Sequence, residues 1–226
     1  ASVAPLGPRL AGDRWGLSLW APTAKSVTLL VGDDTYDMPD QGGGWRRLTL
    51  PEVKAGTRYA YLIDGELEVP DPASRFQPDD AFGRSEVIDP NAYAWKDSGW
   101  MGRPFEEAVI YEVHVGTATP EGTYAALQER LPALRDLGVT AIELLPLADF
   151  KGTRNWGYDG VLPYAPDSAY GRPDDLRRLV DAAHGLGLMV YLDAVYNHFG
   201  PAGNYLSQYA AQFFTERHQT PGARTF

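Results

Sequence analysis

The chain contains no cysteine, which excludes a disulfide framework, a thiolate nucleophile and a thiolate metal site. Histidine is scarce as well: His114, His184, His198 and His218 are the whole supply of 4. A transition-metal site wants two or three of them converging. With His184 expected on a helix and His218 in a late loop, no metal and no cofactor is expected. Long apolar runs are missing too, and Val109-Ile110-Tyr111 is broken by charges within a few residues, far short of a membrane span. The opening Ala1-Ser2-Val3-Ala4-Pro5 lacks the basic start and apolar stretch of a secretory signal, so a cytoplasmic location is expected. Basic residues are outnumbered by acidic ones, 20 to 30, for a net charge of −10. That balance argues against nucleic acid or an anionic membrane as partner. A neutral ligand is indifferent to it.

What is present is an ordinary globular composition, 44% hydrophobic over 226 residues, enough for one or two domains. Residues 1–98 read as short strands between turns. Trp15, Leu17 and Leu19 alternate onto one face. Ser26–Val31 is β-branched and stops at Gly32-Asp33-Asp34. Arg46–Leu50 follows the triple glycine Gly42-Gly43-Gly44, a turn rather than a phosphate loop because no helix follows it. Arg58–Ile63 runs into Asp64-Gly65, a hairpin signal. The pattern predicts a small immunoglobulin-like β-sandwich, with the Pro- and Asp-rich stretch from Val69 to Pro90 as an ordered-coil linker.

In residues 99–226 the rhythm changes. Ala108–Val115 is a largely apolar strand, the pattern of one covered on both faces. Thr123 caps a helical stretch carrying Tyr124, Leu127, Leu131 and Leu134, interrupted at Pro132 and stopped by Gly138. Thr140–Leu145 is the second strand. After a long loop, Pro173, Asp174 and Asp175 open a second helix whose apolar stripe is Leu176, Leu179, Val180 and Ala183. Leu188–Val195 is a third buried strand. Strand, helix, strand, helix, strand implies a parallel sheet, either doubly wound or the start of an eight-fold barrel.

Polar residues gather where these strands end: Glu112 and His114, then Pro146 and Asp149, then Asp193, Asn197 and His198. Parallel α/β folds bind ligands there. Each residue singly also has an ordinary explanation, His114 as a satisfied core histidine and Glu143 as the partner of an arginine. The run Asp193-Ala194-Val195-Tyr196-Asn197-His198 suits hydrogen bonding to hydroxyls better than a hard-cation site. The loop Asn155-Trp156-Gly157-Tyr158-Asp159-Gly160 offers two aromatic faces beside a carboxylate, or else a packed loop. No Gly-x-Ser-x-Gly elbow occurs.

Asp193–His198 resembles the Asp-x-Val-x-Asn-His region of the α-amylase superfamily. Within it, Tyr111-Glu112-Val113-His114-Val115-Gly116-Thr117, Thr119–Thr123, Ile142–Leu147, Asn155–Gly160 and His198–Leu206 resemble the malto-oligosyltrehalose trehalohydrolases, in order across residues 105–210. The resemblance implies strands one to three of a (β/α)₈ barrel behind the sandwich, and cleavage of the α-1,4 bond next to a terminal trehalose. Carried over by position, Asp193 supports the site floor, and His198 contacts the sugar at the cleaved position. Tyr158 stacks on that sugar, Trp156 and Asp159 shape the wall, and Asn197 braces the loop or touches sugar directly.

The resemblance places the nucleophile Asp, the acid Glu and a third Asp after later strands, beyond Phe226. No catalytic carboxylate is therefore expected among Glu112, Glu143 and Asp193. Retaining glycosidases need two carboxyl groups about 5–5.5 Å apart. Where the family reads Thr-Pro-Trp-Gly, this chain has Thr220-Pro221-Gly222-Ala223. A half barrel exposes sheet edges, so self-association of the isolated stretch is expected. Three rival readings stay open: a glycogen-branching or debranching enzyme, a non-catalytic α-glucan-binding fragment, and a ligand-free parallel-sheet scaffold.

Overall fold

The computed structural model describes residues 6–215 and the backbone of 224–225. The signal reading at Ala1–Pro5, His218 and the family departure at Thr220–Ala223 lie outside the described residues. The strands of the N-terminal half run in order β1 (Arg9–Ala11), β2 (Arg14–Trp20), β3 (Val27–Val31), β4 (Asp34–Asp37), β5 (Trp45–Leu50), β6 (Arg58–Ile63), β7 (Leu67–Val69) and β8 (Ser85–Glu86). They make two antiparallel sheets, β1-β2-β5 and β4-β3-β6-β7, with β8 against β6.

Period-two alternation explains the sandwich. Leu17 and Leu19 of β2, Leu29 of β3 and Tyr59 and Tyr61 of β6 are all fully or almost fully buried in one core. Each such side chain removed from water contributes roughly 1.5–3 kcal/mol. The β6–β7 hairpin follows from Asp64 (φ 54°) and Gly65 (φ 76°), whose positive φ values match a primed turn. Asp64 tolerates this conformation while its carboxylate accepts the Lys25 and Ser26 amides at 2.7 and 3.0 Å.

The stretch from Val69 to Pro90, expected as a coil linker, is coil apart from Val69 at the end of β7 and the short strand β8 that pairs with β6, and it is not a spacer. Asp71 is fully buried, accepting from the Tyr59 hydroxyl at 2.7 Å and the Ala73 amide at 2.8 Å. Burial lifts its carboxyl to about 6. Ser74, Phe76 and Gln77 are buried beside it, because prolines that forbid a regular strand do not forbid packing.

The second half begins with β9 (Ile110–Val113), α1 (Val115–Ala118), α2 (Tyr124–Gln128), α3 (Leu131–Leu137) and β10 (Ala141–Leu144). Then come β11 (Ala148–Asp149), β12 (Leu162–Pro166), α4 (Pro173–Gly185), β13 (Met189–Leu192), β14 (His198–Phe199) and α5 (Leu206–Tyr209); β15 (Arg224–Thr225) pairs with β14. The Thr123 hydroxyl caps α2 by accepting the Ala126 amide at 3.2 Å, and the helical path restarts at Leu131 as α3, with Pro132 in its first turn. Gly138 ends it with φ 100°. The three-stranded sheet has order β13-β10-β9 and is parallel throughout, Ala141 lying opposite both Ile110 and Met189.

Three sequence expectations change here. The first strand stops at Val113, and its continuation turns into α1, where the Thr117 and Ala118 amides bond the His114 carbonyl. The first and third strands are not covered on both faces: Ile110 is 42% exposed and Leu192 56%. Both strands lie at the edges of the sheet, so their apolar faces lack neighbours among the described residues. Finally, the long loop after β10 contains the antiparallel pair β11–β12.

The halves share their packing. Phe199, Leu206 and Tyr209 belong to the sandwich core, and the Thr23 amide bonds the Tyr209 carbonyl at 3.1 Å. Glu86, almost fully buried, receives Arg58 from β6 and Arg172 from the start of α4. Among the described residues no helix is long and apolar enough to cross a membrane.

Candidate functional site

Parallel pairing puts the C-terminal ends of β9, β10 and β13 on one rim. The ladder runs one residue past β10 and past β13, with the Leu145 amide on the Val113 carbonyl at 3.1 Å and the Asp193 amide on the Leu144 carbonyl at 2.9 Å. His114, Leu145 and Asp193 are therefore held level. Over this rim lies the loop joining β11 to β12, which carries Trp156 and Tyr158. The Tyr158 hydroxyl donates to Asp193 Oδ2 at 2.8 Å. Its carbonyl accepts from His198 Nε2 at 2.9 Å, so that nitrogen carries the hydrogen. His198 Nδ1 lies 3.1 Å from Asn197 Oδ1.

Donation to Asp193 raises the Tyr158 hydroxyl above its ordinary value, with partial burial and the charges of Asp193, Glu112 and Glu143 adding to the effect. It stays a donor across the neutral range. Glu143 makes no ion pair among the described residues, so the arginine pairing weighed for it is absent there. His184 lies on α4, bonding Asp97 at 2.7 Å, well apart from the rim.

The loop itself is organised by Asn155. Its Oδ1 accepts the Gly157 amide at 2.7 Å and its Nδ2 donates to Asp159 Oδ2 at 2.9 Å, an Asx turn. Gly157 has φ 100°, and a Cβ there would stand 2.2 Å from the Pro146 carbonyl oxygen. Only glycine fits. Gly200 plays the same part for the neighbouring segment, since its Cβ would lie 2.0 Å from the Asp159 carbonyl oxygen; this close approach brings His198 under Tyr158. The aromatic rings are not packed away: Trp156 is 80% exposed and Tyr158 40%.

A cleft of ≈ 950 Å³ opens here, lined by His114, Thr117, Arg154, Trp156, Tyr158 and Asp159 among others. Asp193 and His198 do not line it; they hold Tyr158 from its other side. His198 instead borders a separate apolar recess of ≈ 290 Å³ with Tyr164, Tyr196 and Phe213. Three of the six residues singled out in the sequence, Trp156, Tyr158 and Asp159, thus form the wall. Asp193 and His198 bond Tyr158, and Asn197 reaches the group through His198. Asn155 stands in the sequence as a turn residue of this loop, and the structure gives it the organising role.

Behind the loop lies Asp149, fully buried, with neither carboxyl oxygen hydrogen-bonded among the described residues. Burial, then the charges of Asp167 and Asp80, lift it to about 9. Asp167, which accepts the Phe150 and Ala169 amides, is lifted by burial to about 6. Among the described residues no group of three or more His, Asp or Glu is arranged to hold a metal ion.

Comparison with known proteins matches residues 79–220 to the family profile described as alpha amylase, catalytic domain. Residues 5–92 match carbohydrate-binding module 48, the isoamylase N-terminal domain. Malto-oligosyltrehalose trehalohydrolase of Deinococcus radiodurans is 53% identical over 93% of this chain, and that of Saccharolobus solfataricus 45% over 97%. The chain spans 34% and 39% of the length of these two relatives. A 1.4 Å crystal structure from Salmonella typhimurium, under an α-amylase name, superposes with a TM-score of 0.95 at 48% identity, covering 98% of this chain and 38% of that one.

Proposed function

Because this chain belongs to the α-amylase family, we propose that the protein carrying it hydrolyses the α-1,4-glucosidic bond next to the terminal trehalose of malto-oligosyltrehalose, releasing trehalose. The observation that carries this reading is the rim itself. An exposed tyrosine is fixed by Asp193 at 2.8 Å and His198 at 2.9 Å beside an exposed tryptophan. A tyrosine held at its hydroxyl and its backbone presents its ring face in one orientation, and a sugar's C–H face stacks on such a surface. The trehalohydrolase identities of 53% and 45% support the choice of substrate.

In this reading Tyr158 stacks on the sugar at the cleaved position, with Trp156 and Asp159 as the wall of its pocket. Asp193 and His198 contribute through Tyr158, and Asn197 braces His198. The residues described here bind and orient. The carboxyl pair that breaks the bond belongs after Phe226, with no cofactor or metal required. The same reading divides the chain into a sandwich at 1–98 and barrel strands at 99–226, and puts the protein in the cytoplasm. It also expects residues 1–226 expressed alone to self-associate through the uncovered strands, which size-exclusion chromatography tests; a monomer with a cooperative melt counts against it.

The decisive assay gives the full-length protein malto-oligosyltrehalose and measures trehalose. Tyr158→Ala is expected to lower kcat/KM about 100-fold, of the order for losing an oriented contact at the reacting ring. New branch points without trehalose would replace this reading with glycogen branching. Maltodextrin binding with no turnover would replace it with a glucan-binding role.

A further inference from the structure

We infer that His114 is a positioning residue: its ring is the latch that holds the aromatic loop over the rim, and it works through the Asn155 backbone rather than on sugar. The inference rests on the sugar-binding reading of that loop and adds the device that presents it. His114 directly follows β9 and caps α1, where its carbonyl accepts the Thr117 and Ala118 amides at 3.1 and 3.0 Å. Its backbone is thereby fixed between the end of β9 and the first turn of α1. Its Nε2 lies 2.7 Å from the Asn155 carbonyl oxygen. A carbonyl only accepts, so His114 donates.

From Asn155 the constraint passes on by contacts already described. The amide side chain holds the Gly157 N–H at 2.7 Å and Asp159 at 2.9 Å, and between those two residues lies Tyr158. One hydrogen bond therefore joins the end of the first strand to the turn that carries both aromatic rings. The ring has little freedom. Tyr170 packs edge-on against it at 6.0 Å and 88°. A Cβ at Gly116 would stand 3.0 Å from both His114 Cε1 and Tyr170 Cε1, so glycine at that position leaves the two rings their contact. Thr153, Arg154 and Trp156, the residues flanking Asn155, face the same cleft that His114 lines.

The test uses the full-length protein with two variants. His114→Phe keeps the ring against Tyr170 and removes the donor, while His114→Gln keeps an N–H donor without the ring. Two readouts are followed: amide hydrogen exchange at Gly157 and Asp159, and maltotetraose affinity by titration calorimetry. His114→Phe is expected to speed exchange at both amides and weaken maltotetraose about five- to tenfold, the size of one net hydrogen bond. His114→Gln is expected to recover most of both. Unchanged exchange in His114→Phe, or a His114→Gln variant no better than His114→Phe, overturns the latch. Faster exchange in His114→Phe together with no maltotetraose binding by the unaltered protein upholds the latch and overturns the sugar reading.

Discussion

The sandwich and the parallel sheet use similar amounts of apolar sequence to different effect. In the sandwich, β3 reads Val-Thr-Leu-Leu-Val and buries Val27 and Leu29 completely, because each sheet finds its partner within about sixty residues of chain. In the parallel sheet, β9 reads Ile-Tyr-Glu-Val and leaves Ile110 and Tyr111 more than 40% exposed. Only the central strand β10, flanked on both sides, is buried as its composition suggests. Antiparallel hairpins bring their own neighbours; a parallel strand depends on crossovers that bring the next one. The teaching is that apolarity states a demand for cover, and topology decides whether it is met.

The largest effect that could break this comparison is a pair of truncations. Leu29→Ala in β3 is expected to cost ~2–5 kcal/mol, as for a fully enclosed leucine. Ile110→Ala, already 42% exposed, is expected to cost about 1 kcal/mol or less. Equal losses in denaturant titrations would show that the two regions are covered alike.

A pH series separates the halves electrostatically. Asp149 is lifted to about 9 from an ordinary 3.8, so the folded chain keeps a proton that the unfolded chain releases. Its contribution to stability is greatest below about pH 4 and declines as pH rises through about 9, with a slope of at most ~1.4 kcal/mol per pH unit. Asp71 in the sandwich, lifted to about 6, acts in the same direction but stops declining near pH 6. Asp149→Asn should therefore flatten the melting-temperature profile above pH 6, and Asp71→Asn only below it. A profile unchanged above pH 6 in Asp149→Asn would contradict a neutral Asp149.

The contact between the halves comes next. Glu86→Gln removes the charge that joins Arg58 to Arg172 and is expected to cost ~1–3 kcal/mol in denaturant titrations. An unchanged midpoint would show that shared apolar packing alone holds the halves together. The smallest expected effect on stability is Trp156→Ala, within about 0.5 kcal/mol because the ring is 80% exposed. The same variant should still weaken maltotetraose binding, and a large loss of stability would mean that the ring belongs to the fold.

Much of this was legible before any coordinates. Alternation at Trp15, Leu17 and Leu19, the Asp64-Gly65 turn, the Thr123 cap, the restart beside Pro132 and the Gly138 stop are all local, and local chemistry decided them. The motif Asn155–Gly160 and the run Asp193–His198 could likewise be placed together at the strand ends from residue type and family pattern, and they touch through Tyr158. Other features were not legible. The burial of Asp71 and Asp149 depends on segments that reach them from elsewhere, and a Pro-rich stretch looks the same whether it spans solvent or packs. That His114 bonds Asn155, or that His198 sits beneath Tyr158 rather than on the cleft wall, depends on distances between residues about forty apart in the chain.

By itself, the order of residues determined the elements, their caps and the chemical types gathered at the strand ends, because hydrogen bonding and side-chain periodicity act over a few residues. Tertiary structure alone decided which of those groups touch, which ring faces stay in water and which carboxyl groups keep their protons. Those outcomes depend on the approach of distant segments and on the dielectric their packing creates.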